Sequence, residues 1–138
     1  MDQQQARQLA QQFIDKLHQL EEHSPDSIDT LVGMFSDDAE LSNTVIQHQK
    51  GCLTGRDNIA RFWREYISSF GSIHSDFFDV TTSDHSAGLF WRSSGTGQSG
   101  QPVSYEGVSL LMFDDAGKIR QFKGYFDPRQ TQSKTQVH

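Results

Sequence analysis

The chain carries its strongest fold signal in two segments, MFSDDAELSN at residues 34–43 and LTGRDNIARFW at residues 53–63. The first segment predicts the end of a helix followed by a short strand. The second predicts a tight turn at Gly55 and then an amphipathic helix, whose start Asp57 favours because acidic side chains stabilise the positive end of the helix dipole. The two segments therefore predict a helix, a strand, a turn and a further helix, in this order.

Apolar spacing predicts two helices ahead of these segments and extends the third. Residues 3–22 repeat apolar side chains three and four positions apart, at Ala6, Leu9, Ala10, Phe13, Ile14, Leu17 and Leu20. The run Ser24-Pro25-Asp26 ends this helix and offers an N-terminal cap for a shorter one, whose apolar positions are Ile28, Leu31, Val32 and Phe35. The third helix ends at Gly71 and carries Ile59, Phe62, Trp63, Tyr66 and Ile67.

The second half of the chain alternates apolar and polar residues and predicts strands. The expected strands lie near residues 74–83, 86–95, 102–114 and 118–127. A Gly-rich stretch at residues 94–101 joins the middle two, and the run 114–117 is a tight-turn signal. Short strands are also expected in residues 38–50, which include Thr44-Val45-Ile46. Helices followed by an antiparallel meander predict an α+β fold.

Composition limits the function classes. The chain has 138 residues, 34% hydrophobic content and a net charge of -6, with no basic cluster, which argues against nucleic acid as a partner. It contains no apolar run of membrane-spanning length, and its single cysteine, Cys52, fits a reducing compartment. We therefore expect a cytoplasmic protein that does not insert into membranes. One domain is expected over residues 1–128, with a disordered tail at residues 129–138.

Three short motifs together resemble a known superfamily. They are a Phe-x-Asp-Asp-Ala helix exit at Phe35–Ala39, a Gly-Arg-Asp-x-Ile helix entry at Gly55–Ile59, and a Phe-Asp-Asp-x-Gly-Lys-Ile hairpin at Phe113–Ile119. In this order and spacing they resemble the nuclear transport factor 2-like superfamily, and within it the SnoaL-like and ketosteroid isomerase-like branch. The resemblance covers roughly residues 5–128. It implies a cystatin-like cone, with three N-terminal helices packed on a curved antiparallel sheet, an apolar pocket and a dimer formed through the outer sheet face.

The residues that would line such a pocket follow from the family pattern and a strand register in which Phe90 pairs with Gly107. A slip of this register by one residue would exchange Arg92 for Trp91 and Tyr105 for Glu106. The predicted lining consists of Phe13, Leu17, Asn43, Phe62, Trp63, Phe90, Arg92, Tyr105, Ser109, Phe122 and Phe126. Each of these aromatic residues can equally be ordinary core.

The chemistry of the family's enzymes is not matched at the corresponding positions. The proton-shuttling carboxylate of the steroid isomerases falls on Asn43, and an amide is no base at neutral pH. Their buried carboxylic acid would align with Ser109, and their helix tyrosine with Phe13 or Leu17. The resemblance therefore does not predict the isomerase reaction, and the catalytic residue stays unassigned, with Asn43 and Asp127 as candidates.

The polyketide cyclases of the family carry a His-Trp-Asp type of segment on the last strand, where this chain has Phe122-Lys123-Gly124. Asp127 is the nearest carboxylate to that position. It can equally cap the strand end or pair with Lys123. An epoxide-hydrolase arrangement would need Arg92 between two carboxylates such as Glu106 and Asp127, but the expected register places Arg92 and Glu106 on opposite faces.

Other constellations indicate no cofactor and no metal site. The six histidines do not occur at a metal-ligand spacing with cysteine or a carboxylate, apart from Asp84-His85 and His74-Ser75-Asp76, and neither of these resembles a metal site. Cys52 is interpreted as a loop thiol, with a nucleophile as the alternative. The Gly-rich loop at residues 95–100 has no helix after it to bind a phosphate. The acidic pairs at residues 21–22, 37–38 and 114–115 are interpreted as solvated ends and turns.

Two function classes stay open: an isomerase, cyclase or hydrolase acting on a polyketide- or steroid-like molecule, and a non-catalytic binding or dimerisation module. In either case the expected ligand is a small, flat, apolar or aromatic molecule with one acidic or keto group, anchored by Arg92 and Tyr105. A homodimer is expected through the sheet face that carries Trp91, Val108, Leu110 and Met112, because an apolar outer face of this size needs a cover.

Overall fold

Four helices and six strands form the protein in a computed structural model that describes residues 1–49 and 51–127. The elements in chain order are α1 (Gln3–Glu21), α2 (Ser27–Val32), β1 (Phe35–Asn43), α3 (Thr44–Gln49), β2 (Leu53–Thr54), α4 (Arg56–Ser68), β3 (Phe70–Thr82), β4 (Ser86–Gly97), β5 (Pro102–Phe113) and β6 (Ile119–Phe126). The predicted tail at residues 129–138 lies outside the described residues. No helix among the described residues has the length and apolar character needed to cross a membrane.

The strands form one curved sheet in the order β2-β1-β6-β5-β4-β3. Strands β3 to β6 form the expected antiparallel meander. Strand β1 differs, because it runs parallel to β6, with Leu41 beside Phe122. The α+β class with helices packed on a curved sheet is thus confirmed, although the sheet is not antiparallel throughout.

Helix α1 is the largest helical contributor to the core. It begins with a capping box in which Asp2 accepts a hydrogen bond from the Gln5 amide at 2.8 Å and the Gln5 side chain accepts one from the Asp2 amide at 2.9 Å. Its buried stripe consists of Ala6, Ala10, Phe13, Ile14, Leu17, Leu20 and Glu21. The apolar members of this stripe were expected from their spacing. The helix packs chiefly against α2 and β3.

The structure corrects two predictions, one at the end of β1 and one at its start. Thr44, Val45 and Ile46 were expected in a strand but begin α3, because the Asn43 side-chain oxygen accepts hydrogen bonds from the amides of Val45 at 3.0 Å and Ile46 at 2.8 Å. This capping outweighs the β propensity of the three branched side chains. Phe35, expected in the second helix, instead begins β1 and is fully buried there.

The register between β4 and β5 also differs from the predicted one. Trp91, not Phe90, pairs with Gly107. A side-chain atom on Gly107 would lie 2.8 Å from the Trp91 indole ring, so the missing side chain is what leaves room for the indole. Leu89, Trp91 and Ser93 are therefore buried under the helices, whereas Phe90 and Arg92 lie on the outer face. Two adjacent aromatic residues in β4 made both registers compatible with the sequence pattern.

Candidate functional site

A cavity of about 340 Å³ lies between the helices and the inner face of the sheet. Its volume is near the lower end of the range of roughly 300–1,000 Å³ that is usual for small-molecule sites. The cavity is lined by Phe13, Leu17, Asn43, Val45, Phe62, Trp63, Tyr66, Ser69, Phe70, Ser75, Phe77, Trp91, Ser93, Tyr105, Ser109, Phe122, Gly124 and Phe126. Most of this surface is aromatic or aliphatic, and its polar groups are hydroxyls, one side-chain amide and the indole N–H groups of Trp63 and Trp91.

Aromatic side chains from two helices and three strands form the apolar wall. The Phe122 ring on β6 lies 5.7 Å from Phe13 of α1 and 5.6 Å from Trp63 of α4, measured between ring centroids. On the neighbouring strands the Trp91 and Tyr105 rings meet edge to face at 5.4 Å. Such contacts hold the rings in place, because each ring edge is attracted to the face of its neighbour. The wall is therefore a set of aromatic rings in mutual contact.

A hydroxyl cluster occupies one side of the cavity and is organised by Glu21. The Glu21 carboxylate accepts hydrogen bonds from the Ser75 amide at 3.0 Å, the Ser75 hydroxyl at 2.6 Å and the Tyr66 hydroxyl at 2.9 Å. Ser93 continues the cluster, with its hydroxyl oxygen 2.6 Å from that of Ser75. Glu21 is only 6% exposed, so its charge is stabilised by these donors rather than by water.

The two tyrosines of the cavity stay protonated over a wide pH range. Burial, followed by the charge of Glu21, raises the pKa of Tyr66 well above its usual value. The same two causes raise the pKa of Tyr105. Tyr105 makes no hydrogen bond to any described residue. Both phenols are therefore neutral hydrogen-bonding groups near pH 7 and not tyrosinate bases.

Two predicted site residues have structural partners inside the cavity wall. Asn43 lines the cavity, but its side-chain oxygen caps α3. Ser109 also lines it and accepts a hydrogen bond from the Trp91 indole at 2.9 Å. Phe13, Leu17, Phe62, Trp63, Tyr105, Phe122 and Phe126 lie on the cavity as well. Their role in ligand binding stays a prediction.

Phe90 and Arg92 do not lie on the cavity, because the register of β4 turns them to the outer face. There the Arg92 Nε atom lies 3.2 Å from a carboxylate oxygen of Glu106, and the guanidinium lies 4.5 Å above the Phe78 ring. The prediction that Arg92 and Tyr105 together anchor a ligand is therefore wrong. So is the prediction that Arg92 and Glu106 lie on opposite faces, and their pair lies outside the cavity. Asp127 follows β6 and is not among the described residues that line the cavity.

Glu21 corrects the interpretation of residues 21–22 as a solvated pair. Helix α1 passes along β3, an edge strand, and two of its side chains bind Ser75: Glu21 at the amide, and His18 at the carbonyl oxygen, 2.8 Å from its Nε2 atom. The spacing of three between His18 and Glu21 placed both on one helix face, and it was the only sequence signal for this contact.

His18, Glu21 and His74 also bring ligand-type atoms within 4.8 Å of one another, a neighbourhood that the spacing of the histidines in the sequence did not indicate. The hydrogen bonds to Ser75 already use the Nε2 atom of His18 and both carboxylate oxygens of Glu21. The His18 ring stacks on that of His74 at 5.1 Å. These contacts hold the edge strand against α1.

A more polar groove adjoins the cavity and shares Asn43, Val45, Phe62 and Tyr66 with it. Cys52, Arg61 and Glu65 contribute to its other walls. The Cys52 thiol is exposed and lies 3.6 Å from a carboxylate oxygen of Glu40. It is thus a loop thiol in the wall of the groove, outside the set of described residues that line the cavity.

The chain matches the SnoaL-like domain family over residues 10–122. It belongs to the SnoaL-like family. This assignment agrees with the three motifs that resembled the nuclear transport factor 2-like superfamily. No protein with a curated function matches the chain.

Two solved structures show how the fold of this SnoaL-like protein compares. One is a SnoaL-like protein of unknown function from Burkholderia thailandensis E264, with a TM-score of 0.70 at 17% identity, covering 91% of this chain and 96% of the other. The second is described as a candidate ketosteroid isomerase from Kribbella flavida DSM 17836, with a TM-score of 0.69 at 18% identity, covering 91% and 79%. At these identities the likeness concerns the fold alone.

Proposed function

We propose that this SnoaL-like protein binds a small, neutral, flat aromatic molecule in the cone cavity without converting it. One observation carries the proposal: among the described residues that line the cavity, none is an Asp, Glu, His, Lys, Arg or Cys. A charged ligand group would lose its hydration there without gaining an opposite charge. A neutral ligand fits the aromatic wall and meets only uncharged polar groups: hydroxyls, one amide and indole N–H groups.

The same lining argues against acid–base catalysis. A general base must reach the proton it removes at about 2.6–3.2 Å or through one water molecule. The Glu21 carboxylate is separated from the cavity by the hydroxyls of Ser75 and Tyr66, which bind it. The resemblance to the steroid isomerases implies that Asn43 occupies the position of their base. An amide does not take up a proton near pH 7. Within the described part of the chain, isomerase or cyclase chemistry therefore lacks a group in position to perform it.

Filling the cavity from Gly124 tests the binding function. A methyl group at this position would lie 3.6 Å from the Asn43 Cβ atom, an ordinary contact, so Gly124→Ala is expected to fold normally. Gly124→Leu extends further into the space. We expect its dissociation constant for β-naphthol, measured by isothermal titration calorimetry, to rise about tenfold or more relative to wild type.

Gly124→Ala serves as the matched control, with an effect between those of wild type and Gly124→Leu. Circular dichroism and thermal unfolding of each variant separate a blocked cavity from a lost fold. Equal affinity of all three proteins for the probe would place the ligand elsewhere and contradict the proposal.

We further propose that a second copy of the chain covers the outer face of the sheet. An apolar row crosses four strands there: Phe78 lies beside Phe90, which pairs with Val108, which pairs with Tyr125. Phe78 is 50% exposed and Tyr125 41% exposed. The Arg92–Glu106 pair lies next to this apolar row and carries one positive and one negative charge. In a two-fold symmetric contact the same patch of both copies meets, so each charge can face the opposite one. Trp91, predicted for this face, belongs to the cavity wall, and Phe90 takes its place in the row.

Leu110→Glu tests this surface, because Leu110 is half-buried next to the apolar row. Light scattering should give about twice the chain mass of 15.7 kDa for wild type and the single-chain mass or aggregates for the variant. Gln12→Glu adds the same charge on an exposed position of α1 and should leave the mass unchanged. A dimer that persists in Leu110→Glu would place the contact on another face.

A further inference from the structure

The position of Glu21 sets the direction of the protons in the hydroxyl cluster. An ionised carboxylate has no proton to donate, so every hydrogen bond to it uses a proton of its partner. The Ser75 and Tyr66 hydroxyls both bind Glu21, at 2.6 and 2.9 Å. Their protons therefore point at Glu21 and away from the cavity.

This constraint extends to Ser93. The Ser75 hydroxyl has one proton, which Glu21 receives, so the 2.6 Å contact between Ser75 and Ser93 must use the proton of Ser93. Ser93 and Tyr66 both line the cavity. The protons of both hydroxyls point away from the cavity, so these hydroxyls present only oxygen lone pairs to a ligand.

Tyr105 supplies the complementary group. Its hydroxyl makes no hydrogen bond to a described residue. Tyr105 pairs with Ser93 across strands β4 and β5, and both residues line the cavity, so their side chains are neighbours on the same face of the sheet. Its proton is thus available to a ligand. The cluster consequently offers two acceptors, Tyr66 and Ser93, and one donor, Tyr105. Buried acceptors without a donor lower the affinity of any ligand that leaves them unpaired.

We propose, as a consequence that rests on the binding function above, that the ligand carries a hydroxyl group directed at Tyr66, Ser93 and Tyr105. A hydroxyl can donate to Tyr66 or Ser93 and accept from Tyr105 at the same time. A ketone or an ether of the same shape can only accept a hydrogen bond, so it leaves the hydroxyl oxygens of Tyr66 and Ser93 without a donor. The chain therefore selects an aromatic alcohol or phenol over the matching carbonyl compound.

Glu21→Gln provides the sharpest test, because an amide at this position reverses the direction of the hydrogen bonds in the hydroxyl cluster. The carbonyl oxygen of the introduced amide would keep the Ser75 amide as its donor, while its NH₂ group would donate to the Ser75 and Tyr66 oxygens. The Ser75 proton would then pass to Ser93, and the protons of Ser93 and Tyr66 would turn toward the cavity. The variant should therefore prefer a ligand that accepts.

The experiment compares β-naphthol, its methyl ether and the corresponding methyl ketone by isothermal titration calorimetry. Wild type should bind β-naphthol about tenfold more tightly than the ketone or the ether, and Glu21→Gln should bind the ketone more tightly than β-naphthol. Glu22→Gln, an exposed neighbour of the same chemistry, should keep the wild-type order. Ser93→Ala removes one acceptor and should reduce the preference for β-naphthol without reversing it.

The outcomes separate this inference from the binding function. If none of the three probes binds wild type, the binding function itself is wrong, and the inference with it. If all three bind equally, the binding function stands and the hydroxyl preference is wrong. If Glu21→Gln unfolds, the wild-type order and the Ser93→Ala ratio still decide the inference. A wild-type order retained in folded Glu21→Gln would overturn the control of proton direction by Glu21.

Discussion

Glu21→Ala should lower the free energy of unfolding by about 3 kcal/mol or more. The substitution leaves three donors without their acceptor: the Ser75 amide, the Ser75 hydroxyl and the Tyr66 hydroxyl. Each buried polar group left unpaired costs about 1–3 kcal/mol. The substitution also removes one of the two α1 side chains that bind the edge strand β3 at Ser75. In thermal unfolding followed by circular dichroism, Tm should fall by roughly 10 °C.

The matched control is Glu22→Ala, which truncates an exposed carboxylate at the next position of the chain. Its effect should stay within about 0.5 kcal/mol, as is usual for surface substitutions. If the two alanine variants had the same Tm, the hydrogen bonds to Glu21 would contribute nothing measurable, and its assignment as the organising group of the cluster would be wrong.

Gly107→Ala should destabilise the protein by about 3 kcal/mol, because the sheet has no room for a side chain there. The added methyl group would collide with the Tyr125 carbonyl oxygen on β6 and would lie 2.8 Å from the Trp91 indole. The backbone oxygen cannot move without loosening the pairing of β5 with β6. Displacement of Trp91 would also disturb its hydrogen bond to Ser109 and the cavity wall. Urea unfolding followed by tryptophan fluorescence measures both effects.

Gly124→Ala is the comparison for this variant, since Gly124 lies on the neighbouring strand and its added methyl group meets Asn43 and Phe122 only at 3.6 and 3.7 Å. It should unfold at nearly the wild-type urea concentration or slightly above it, because alanine restricts the unfolded chain. Equal midpoints for the two glycine variants would mean that β5 and β6 tolerate a side chain at residue 107, against the packing described.

The sequence predicted the fold well where local signals and family motifs agreed. The meander of four strands, the amphipathic α1 and the inward direction of Phe122 on β6 follow from short-range periodicity, which depends on residues close in the chain. Helix α3 was missed because a single side-chain cap at Asn43 outweighed the propensity of Thr44-Val45-Ile46. The β4 register was missed because Phe90 and Trp91 are both large and apolar, and only the space above Gly107 distinguishes them.

The hydroxyl cluster was beyond sequence reasoning for a different reason. Glu21 contacts Ser75 and Tyr66 across 54 and 45 positions of the chain. Its burial depends on where β3 passes α1, which no local pattern specifies. An acidic pair at the end of a helix usually lies in water, so the sequence alone favoured the wrong environment. The resemblance to the steroid isomerases implied an amide, Asn43, in place of their base, whereas nothing in the sequence showed that Glu21 is buried in the hydroxyl cluster.

We propose that the cavity holds a neutral aromatic ligand whose hydroxyl lies at the hydroxyl cluster organised by Glu21. A crystal structure of the protein grown with β-naphthol tests it most directly. We expect the ring system between Phe122, Trp63 and Trp91, and the ligand oxygen within hydrogen-bond distance of Tyr66 or Ser93 and of Tyr105. A ligand bound on the outer face of the sheet, or inside the cavity with its oxygen turned away from these three hydroxyls, would contradict the account.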